Sequence, residues 1–580
     1  MNTDNYDFDK SSIPQDLDGY TPFIDKQTNS YINDQNSGVY SSNQSLVQFD
    51  LSSLYNSSRW TNTNDMFVTI PIIMAIATGA LNTAPNQVPP TAAWALATLK
   101  SGYHHLISQA DLQIDGKTVS ETQPFLGTFT HIKLLSELSQ NDLKSIGSVI
   151  GFSDVLDTPN SVIWNSDAVT AANFTNGNGL TNNTVFGSTT QTAGKPNQNE
   201  GLCNEAINKR ALKVLDISKS GVSKLTGAGN IYTSGEKLRD EYKSTYFVSG
   251  NVGYITDLAI IRLKDIFDCM NNIGIVKRFN GVLRLYVNTG SLHVTCNSGH
   301  AADNAVPRYN FSVSNSTFSN VCPFTINNLN VLEADGGLDY LQKQIAVGLF
   351  IGKTLPTNNA NINLGATQVS HPQTSCRLYY SSIIMEPDRA LTYSRANQSK
   401  NVVFKNYYFN QINTVGAGTN YSQLIQSGIT NPYALIVVPY IGTTTVGMSG
   451  MSQYQSPFDT APATGAPIIL EELQVQLGGQ QVLSSPYRYG FETFVSQFSN
   501  CEALSSSDFG VSCGIVNYEW WQANRIYYIN LSRSTKADQL TPRNVVLSFK
   551  NATSVPIDVQ VFTVYLDRIT LNVDTGAVTR

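Results

Sequence analysis

The sequence predicts an all-β fold of two tandem jelly-roll β-sandwiches, with short helices and long loop insertions in the first. Three observations predict it. First, one module is present twice: Gln113 to Val119, with Pro124 and Phe129 behind it, reappears as Gln476 to Val482, with Pro486 and Phe491. Each copy runs into a short amphipathic stretch, Lys133 to Gln140 and Thr493 to Asn500. At nearly the same distance upstream stand Ile70-Pro71-Ile72-Ile73 and Val438-Pro439-Tyr440-Ile441. A repeat of this length is a duplicated domain, since solenoid repeats are far shorter. Second, only 14% of the 580 residues are charged while 10% are aromatic, and Asn, Ser, Thr, Gly and Tyr abound. That balance suits strands joined by polar turns. Third, short apolar runs alternate with turn clusters along both halves.

In chain order, residues 1–41 are expected to be an N-terminal arm, mobile or clasping a partner, with Lys10 and Lys26 as its only basic side chains. Strand-like runs follow at Val47–Leu51, Met66–Ile70 and Leu112–Ile114. Residues from about 165 to 235, including Asn173 to Asn183, are dominated by Asn, Thr, Gly and Ser. They are expected to form a protrusion of the first domain, anchored by Leu212 to Ile217. The first domain (42–386) is expected to close with Cys376 to Ile384, paralleling Asp558 to Tyr565 near the end of the second (401–580). A linker is expected at 387–400, opening with Pro387 and poor in apolar residues after Leu391 and Tyr393. The second domain repeats the strand pattern at Val402–Lys405, Ala434–Val438, Leu473–Leu477, Tyr527–Leu531, Val545–Phe549 and Val559–Tyr565. About eight strands fit in each half, as a jelly roll requires.

The formal charge of −6 argues against a general nucleic-acid binder, and no basic arm is present to pack a genome. The apolar run from Phe67 to Ala80 is interrupted by Pro71 and is too short to span a bilayer. A soluble chain without a cleaved signal is expected. The seven cysteines, at 203, 269, 296, 322, 376, 501 and 513, lack framework spacing, so reduced thiols are expected.

Catalytic signals are weak, and no catalytic, cofactor-binding or metal-binding residue is assigned. His293, Cys296 and His300 have zinc-ligand chemistry, but the local sequence supplies too few ligands to complete a site. His104-His105 reads as ordinary surface or core. Glu471-Glu472 heads a strand without a base in sequence reach, which suits a solvated edge. No phosphate-binding loop or nucleophile elbow occurs. Trp520-Trp521 with Arg525 to Arg533 fits an interface anchor and a sandwich core equally well.

Ile261 to Asp268, followed by Phe279 to Asn288, resembles the helix-then-strand signature of major capsid proteins from virophages and polinton-like viruses. Tyr527 to Arg533 resembles their second-domain motif, and the turns Asp115-Gly116-Lys117 and Gly478-Gly479-Gln480 sit where that family has its turn before a helix. The resemblance spans most of residues 42 to 580, in pattern more than in identity. It implies a double jelly roll without enzymatic activity or cofactor, whose homotrimers form pseudo-hexameric capsomers of an icosahedral double-stranded DNA virus. Neighbouring capsomers, penton proteins and minor capsid proteins would be the partners. The shell would be assembled inside the host cell and would enclose DNA without a basic arm. A carbohydrate-binding or adhesive β-sandwich, such as a fibre or lectin, is the alternative; a cupin-like tandem enzyme ranks below both, for want of a clustered His/Glu set.

Overall fold

The structure is a computed structural model. It describes residues 24–36, 38–41, 45–57, 59–78, 97–120, 123–152, 245–249, 252–298, 309–314, 317–318, 322–326, 343–355, 368–441, 468–483, 489–498, 516, 518, 521, 525–532, 541–553 and 556–579. The expected protrusion at 165–235, the arm before residue 24, and His300, Trp520 and Arg533 lie outside the described residues.

The first sandwich is built from β1 (Ile24–Asn33), β2 (Ser45–Asp50), β3 (Phe67–Thr78), β4 (Ile107–Ile114), β5 (Lys117–Ser120), β6 (Val252–Arg262), β7 (Gly281–Val287) and β8 (Arg377–Met385). One sheet runs β1-β8-β3-β6 and the facing sheet β2-β7-β4-β5. The second sandwich comprises β9 (Lys400–Val415), β10 (Asn420–Ile429), β11 (Pro432–Ile441), β12 (Leu470–Leu477), β13 (Gln480–Gln481), β14 (Tyr527–Asn530), β15 (Arg543–Asn551) and β16 (Ile557–Leu571). Its sheets run β9-β16-β11-β14 and β10-β15-β12-β13. Counting strands from the start of each domain, both sandwiches have the orders 1-8-3-6 and 2-7-4-5. That is the jelly-roll order of two interleaved Greek keys. The chain is a double jelly roll.

Period-two alternation sets the register. In β7 the residues Leu283, Leu285 and Val287 are fully buried while their neighbours are half-exposed, and Val545, Leu547 and Phe549 do the same in β15. Each such side chain stabilises the fold by roughly 1.5–3 kcal/mol on burial. One contiguous apolar cluster runs through both sandwiches.

The two prolines of the repeated segment mark interruptions in the ladder. Pro71 lies in β3 between Thr69, the last residue paired with β8, and Ile72, the first paired with the inserted strand Lys343–Ile351. Pro439 lies beyond Val437, the last residue of β11 paired with β14. A residue without an N–H is tolerated where a partner strand stops. Above Pro71 the first sheet continues outward through Lys343–Ile351, Gly290–Ser298 and Tyr309–Ser314. Its outer face there carries a small separate core of Ile73, Ala75, Tyr254 and Phe350. Part of the first domain's surplus length is therefore sheet, inserted between β7 and β8.

Two segments differ from expectation. Ile24–Asn33, read as part of an arm, is the edge strand β1, paired with β8 from Met385 to Arg377. Its polar sequence fits an edge whose outer face is exposed. The expected linker holds helix α3 (Pro387–Ala396), with Pro387 in its first turn and the Glu386 carboxylate accepting from Arg389 N–H at 3.0 Å. Tyr393 decides the difference: it is 1% exposed, packs edge-on to Trp60, and donates its hydroxyl to Ile275 O. One buried aromatic is enough to dock a helix that composition alone reads as a tether.

Candidate functional site

Both repeated modules form the same local structure. Asp115 and Gly116 have φ of 50° and 71°, and Gly478 and Gly479 of 60° and 83°, so each hairpin closes through two left-handed residues. Each module then leads to a helix, α1 (Leu126–Glu137) or α4 (Phe491–Phe498). Their surroundings differ. Every residue from Leu126 to Leu135 of α1 is buried, whereas α4 buries Phe494, Gln497 and Phe498 and leaves Glu492 and Ser496 exposed. The cause is the seam between the sandwiches: α1 packs into its own domain on one side and against β9 and β16 on the other.

The seam is aromatic at its centre and polar at its margins. Phe129 stacks on Tyr407 at 4.1 Å between centroids, Phe125 lies 4.6 Å from Phe409, and Phe562 touches Phe129, Tyr407 and Phe409. Around them, α2 (Asp268–Ile273) lies along β9. Asp268 accepts from Lys405 N–H at 2.8 Å and pairs with Lys133 at 3.0 Å; Asn272 donates to Val403 O, and Lys400 Nζ to Ile273 O. Burial alone would raise the Asp268 carboxyl, but the Lys133 ammonium outweighs it and holds the group below the usual carboxylate range. Lys133 is held above its ordinary value, the Asp268 charge overcoming the opposite pull of burial. The C-terminal tail closes the far margin, with Lys117 Nζ donating to Val578 O and Val578 N–H to Asp115 Oδ2. A cavity of about 20 Å³ lies between Ala110, Phe129, Asp268 and Tyr407. It has room for about one water molecule.

The opposite flank of the molecule carries the matching surfaces uncovered. The outer face of β9–β16 is covered by α1, so Ile557 to Val564 of β16 are all buried. On the equivalent outer face of β1–β8, Tyr31 is 50% exposed, while Ile383 and Met385 of the same face are buried with Trp60 and with Tyr393 of α3. Tyr31, Tyr379 and Phe67 stand in one register line there, with Arg377 over the Tyr31 ring. On the second domain, Phe491 occupies the module position that Phe129 holds in the first, and it is half-buried beside the half-exposed Tyr518.

The chemical candidates resolve as follows. Trp521 is 2% exposed, donates to Ile526 O, and packs with Tyr489, Phe491, Phe494 and Tyr527, with Arg525 over its ring; it is a core residue of the second sandwich. Glu471 lies opposite Lys550, and Glu472, at φ 52°, sits in a bulge at the head of β12. His293 stands in the inserted strand Gly290–Ser298, opposite Ser314 and Ala346. Cys269, Cys322 and Cys376 are buried free thiols whose pKa burial pushes up, to about 12 for Cys322.

One cluster escaped the sequence reading. His104 and His105, in the 3-10 turn Tyr103–Leu106, meet His131 of α1, and one ring nitrogen from each lies within 4.8 Å of the others. All three are buried. Adjacent histidines and a third 26 residues later match no metal-binding spacing, so only the packing of turn against helix brings them together.

No protein-family model matches this chain, and no curated protein matches it. Among solved structures, the chain is similar to the Sputnik virophage structure determined by cryo-EM (11% identity, TM-score 0.47, covering 97% of this chain and 90% of that one). It is also similar to the mavirus major capsid protein (8%, 0.39, 97% and 92%) and the Faustovirus major capsid protein (10%, 0.42, 97% and 93%). The fold assignment stands on the strand order of the two sandwiches.

Proposed function

We propose that this chain is the major capsid protein of an icosahedral double-stranded DNA virus of the virophage or polinton-like type, and that three copies close into a pseudo-hexameric capsomer. The observation that carries the reading is the asymmetry between the two flanks. The first domain uses α1 to grip β9–β16 of the second and the Asp115–Lys117 turn to hold its C-terminal tail, while Tyr31 of β1 stands exposed and the second domain presents Phe491, Tyr518 and the Gly478–Gln480 turn. Head-to-tail use of the same pair of surfaces by successive copies generates a ring, and two pseudo-equivalent sandwiches per chain close a six-sandwich ring with three chains.

In this reading residues 24–386 and 400–580 are the two wall-forming domains, joined through helix α3. Penton and minor capsid proteins are the further partners, the role is structural and not enzymatic, and the shell is assembled inside the host cell. Light scattering of the purified chain with negative-stain imaging tests it. A trimer of hexagonal outline is expected, and Tyr31→Asp is expected to yield folded monomers. A wild-type chain that stays monomeric at high concentration overturns the proposal and turns attention to the adhesin alternative, read by saturable glycan binding.

A further inference from the structure

We propose that His104, His105 and His131 form a binding site for one divalent transition-metal ion, zinc in the first instance, that staples the Tyr103–Leu106 turn to helix α1. The site is independent of the capsid reading. Three observations converge on it. The ring nitrogens come within 4.8 Å of one another, and His105 Nε2 faces His131 Nδ1 at 3.3 Å. A zinc ion held at about 2.0–2.1 Å by tetrahedral imidazoles sets its ligand nitrogens about 3.3 Å apart. His131 Nδ1 also lies 3.2 Å from Ser101 O.

The second observation is a buried nitrogen with nothing to bond. His104 is 4% exposed and, among the described residues, its Nε2 has no hydrogen-bond partner. A buried, unsatisfied imidazole nitrogen costs stability unless a ligand takes it up.

The third is the cradle. A Cβ on Gly102, at φ 93°, would stand 2.0 Å from His104 Cε1, and a Cβ on Gly127 would stand 2.7 Å from His105 Nδ1. At both positions the imidazoles occupy the space a Cβ would take. The arrangement is confined to the first sandwich: in the second copy of the module, Ile468 and Thr493 stand where His105 and His131 do here. Three imidazoles without a thiolate suit zinc, cobalt, nickel or copper, and exclude calcium and magnesium, which demand oxygen donors. A water molecule is the natural fourth ligand, as in other three-histidine sites.

The test is equilibrium dialysis of the chelator-stripped full chain against Zn²⁺, with bound metal counted by mass spectrometry. One ion per chain is expected, falling at least about tenfold in His105→Gln and in His131→Gln, and unchanged in His293→Gln. Cobalt loading of the wild-type chain needs no variant to fold: a tetrahedral site gives intense visible absorption, and an adventitious surface ion does not. Sub-stoichiometric zinc together with no tetrahedral cobalt spectrum overturns the proposal. So does metal that survives both glutamine variants or is lost in His293→Gln.

Discussion

Gly576 shows how a single position can hold two domains in register. It has φ 72°, and a Cβ there would lie 2.2 Å from Arg278 O, so the C-terminal turn can rest on the first domain only as glycine. Gly576→Val is expected to cost about 1–3 kcal/mol, read from chemical denaturation, through strain at that turn. His104 makes a second residue-scale prediction, for the metal-free chain. Its folded pKa of about 3 lies below the unfolded 6.5, so below pH 6.5 the unfolded state takes up a proton that the folded state refuses. Stability is therefore complete above 6.5 and falls as the pH drops toward 3, by up to about 1.4 kcal/mol per pH unit. In His104→Gln that part of the slope is expected to disappear when unfolding free energy is measured across the window.

At the scale of elements, α1 and α4 descend from one module yet do different work. Burial on all sides marks α1 as the wedge between the sandwiches, and Phe129→Ala is expected to cost about 3–5 kcal/mol by emptying the aromatic seam. Differential scanning calorimetry should then resolve two transitions where the wild type shows one. The Lys133–Asp268 pair holds the same seam from the polar side. Asp268→Ala leaves a buried ammonium uncompensated, with an expected loss of about 3–5 kcal/mol. Because the folded Asp268 pKa is depressed, the pair's contribution is present above about pH 4 and is lost as the pH falls through the folded value. The stability difference between wild type and Asp268→Asn is expected to shrink below that pH.

Over the whole molecule, the seam within the chain and the contact between copies should differ in strength. The inner seam is aromatic and closed, whereas the outer face of α4 carries Glu492 and Ser496. In the proposed trimer the contact between copies is expected to be the weaker, so it should dissociate on dilution before either sandwich melts, and its melting temperature should rise with chain concentration. Analytical ultracentrifugation across a dilution series checks this.

The sequence by itself determined the local geometry and the repeat. Asp-Gly and Gly-Gly demand left-handed turns, alternating Val, Leu and Phe demand strands with one buried face, and two copies in one order demand two domains. These are properties of neighbours in the chain, so they are legible without a fold. Only the tertiary structure decided which surfaces meet. Tyr393 turns an apparent tether into a docked helix, a polar segment at Ile24–Asn33 becomes an edge strand because β8 offers it a ladder, and α1 is buried where its twin α4 is not. The three histidines belong with these. Their convergence rests on the packing of a turn against a helix, and contacts between distant segments leave no spacing in the sequence to read.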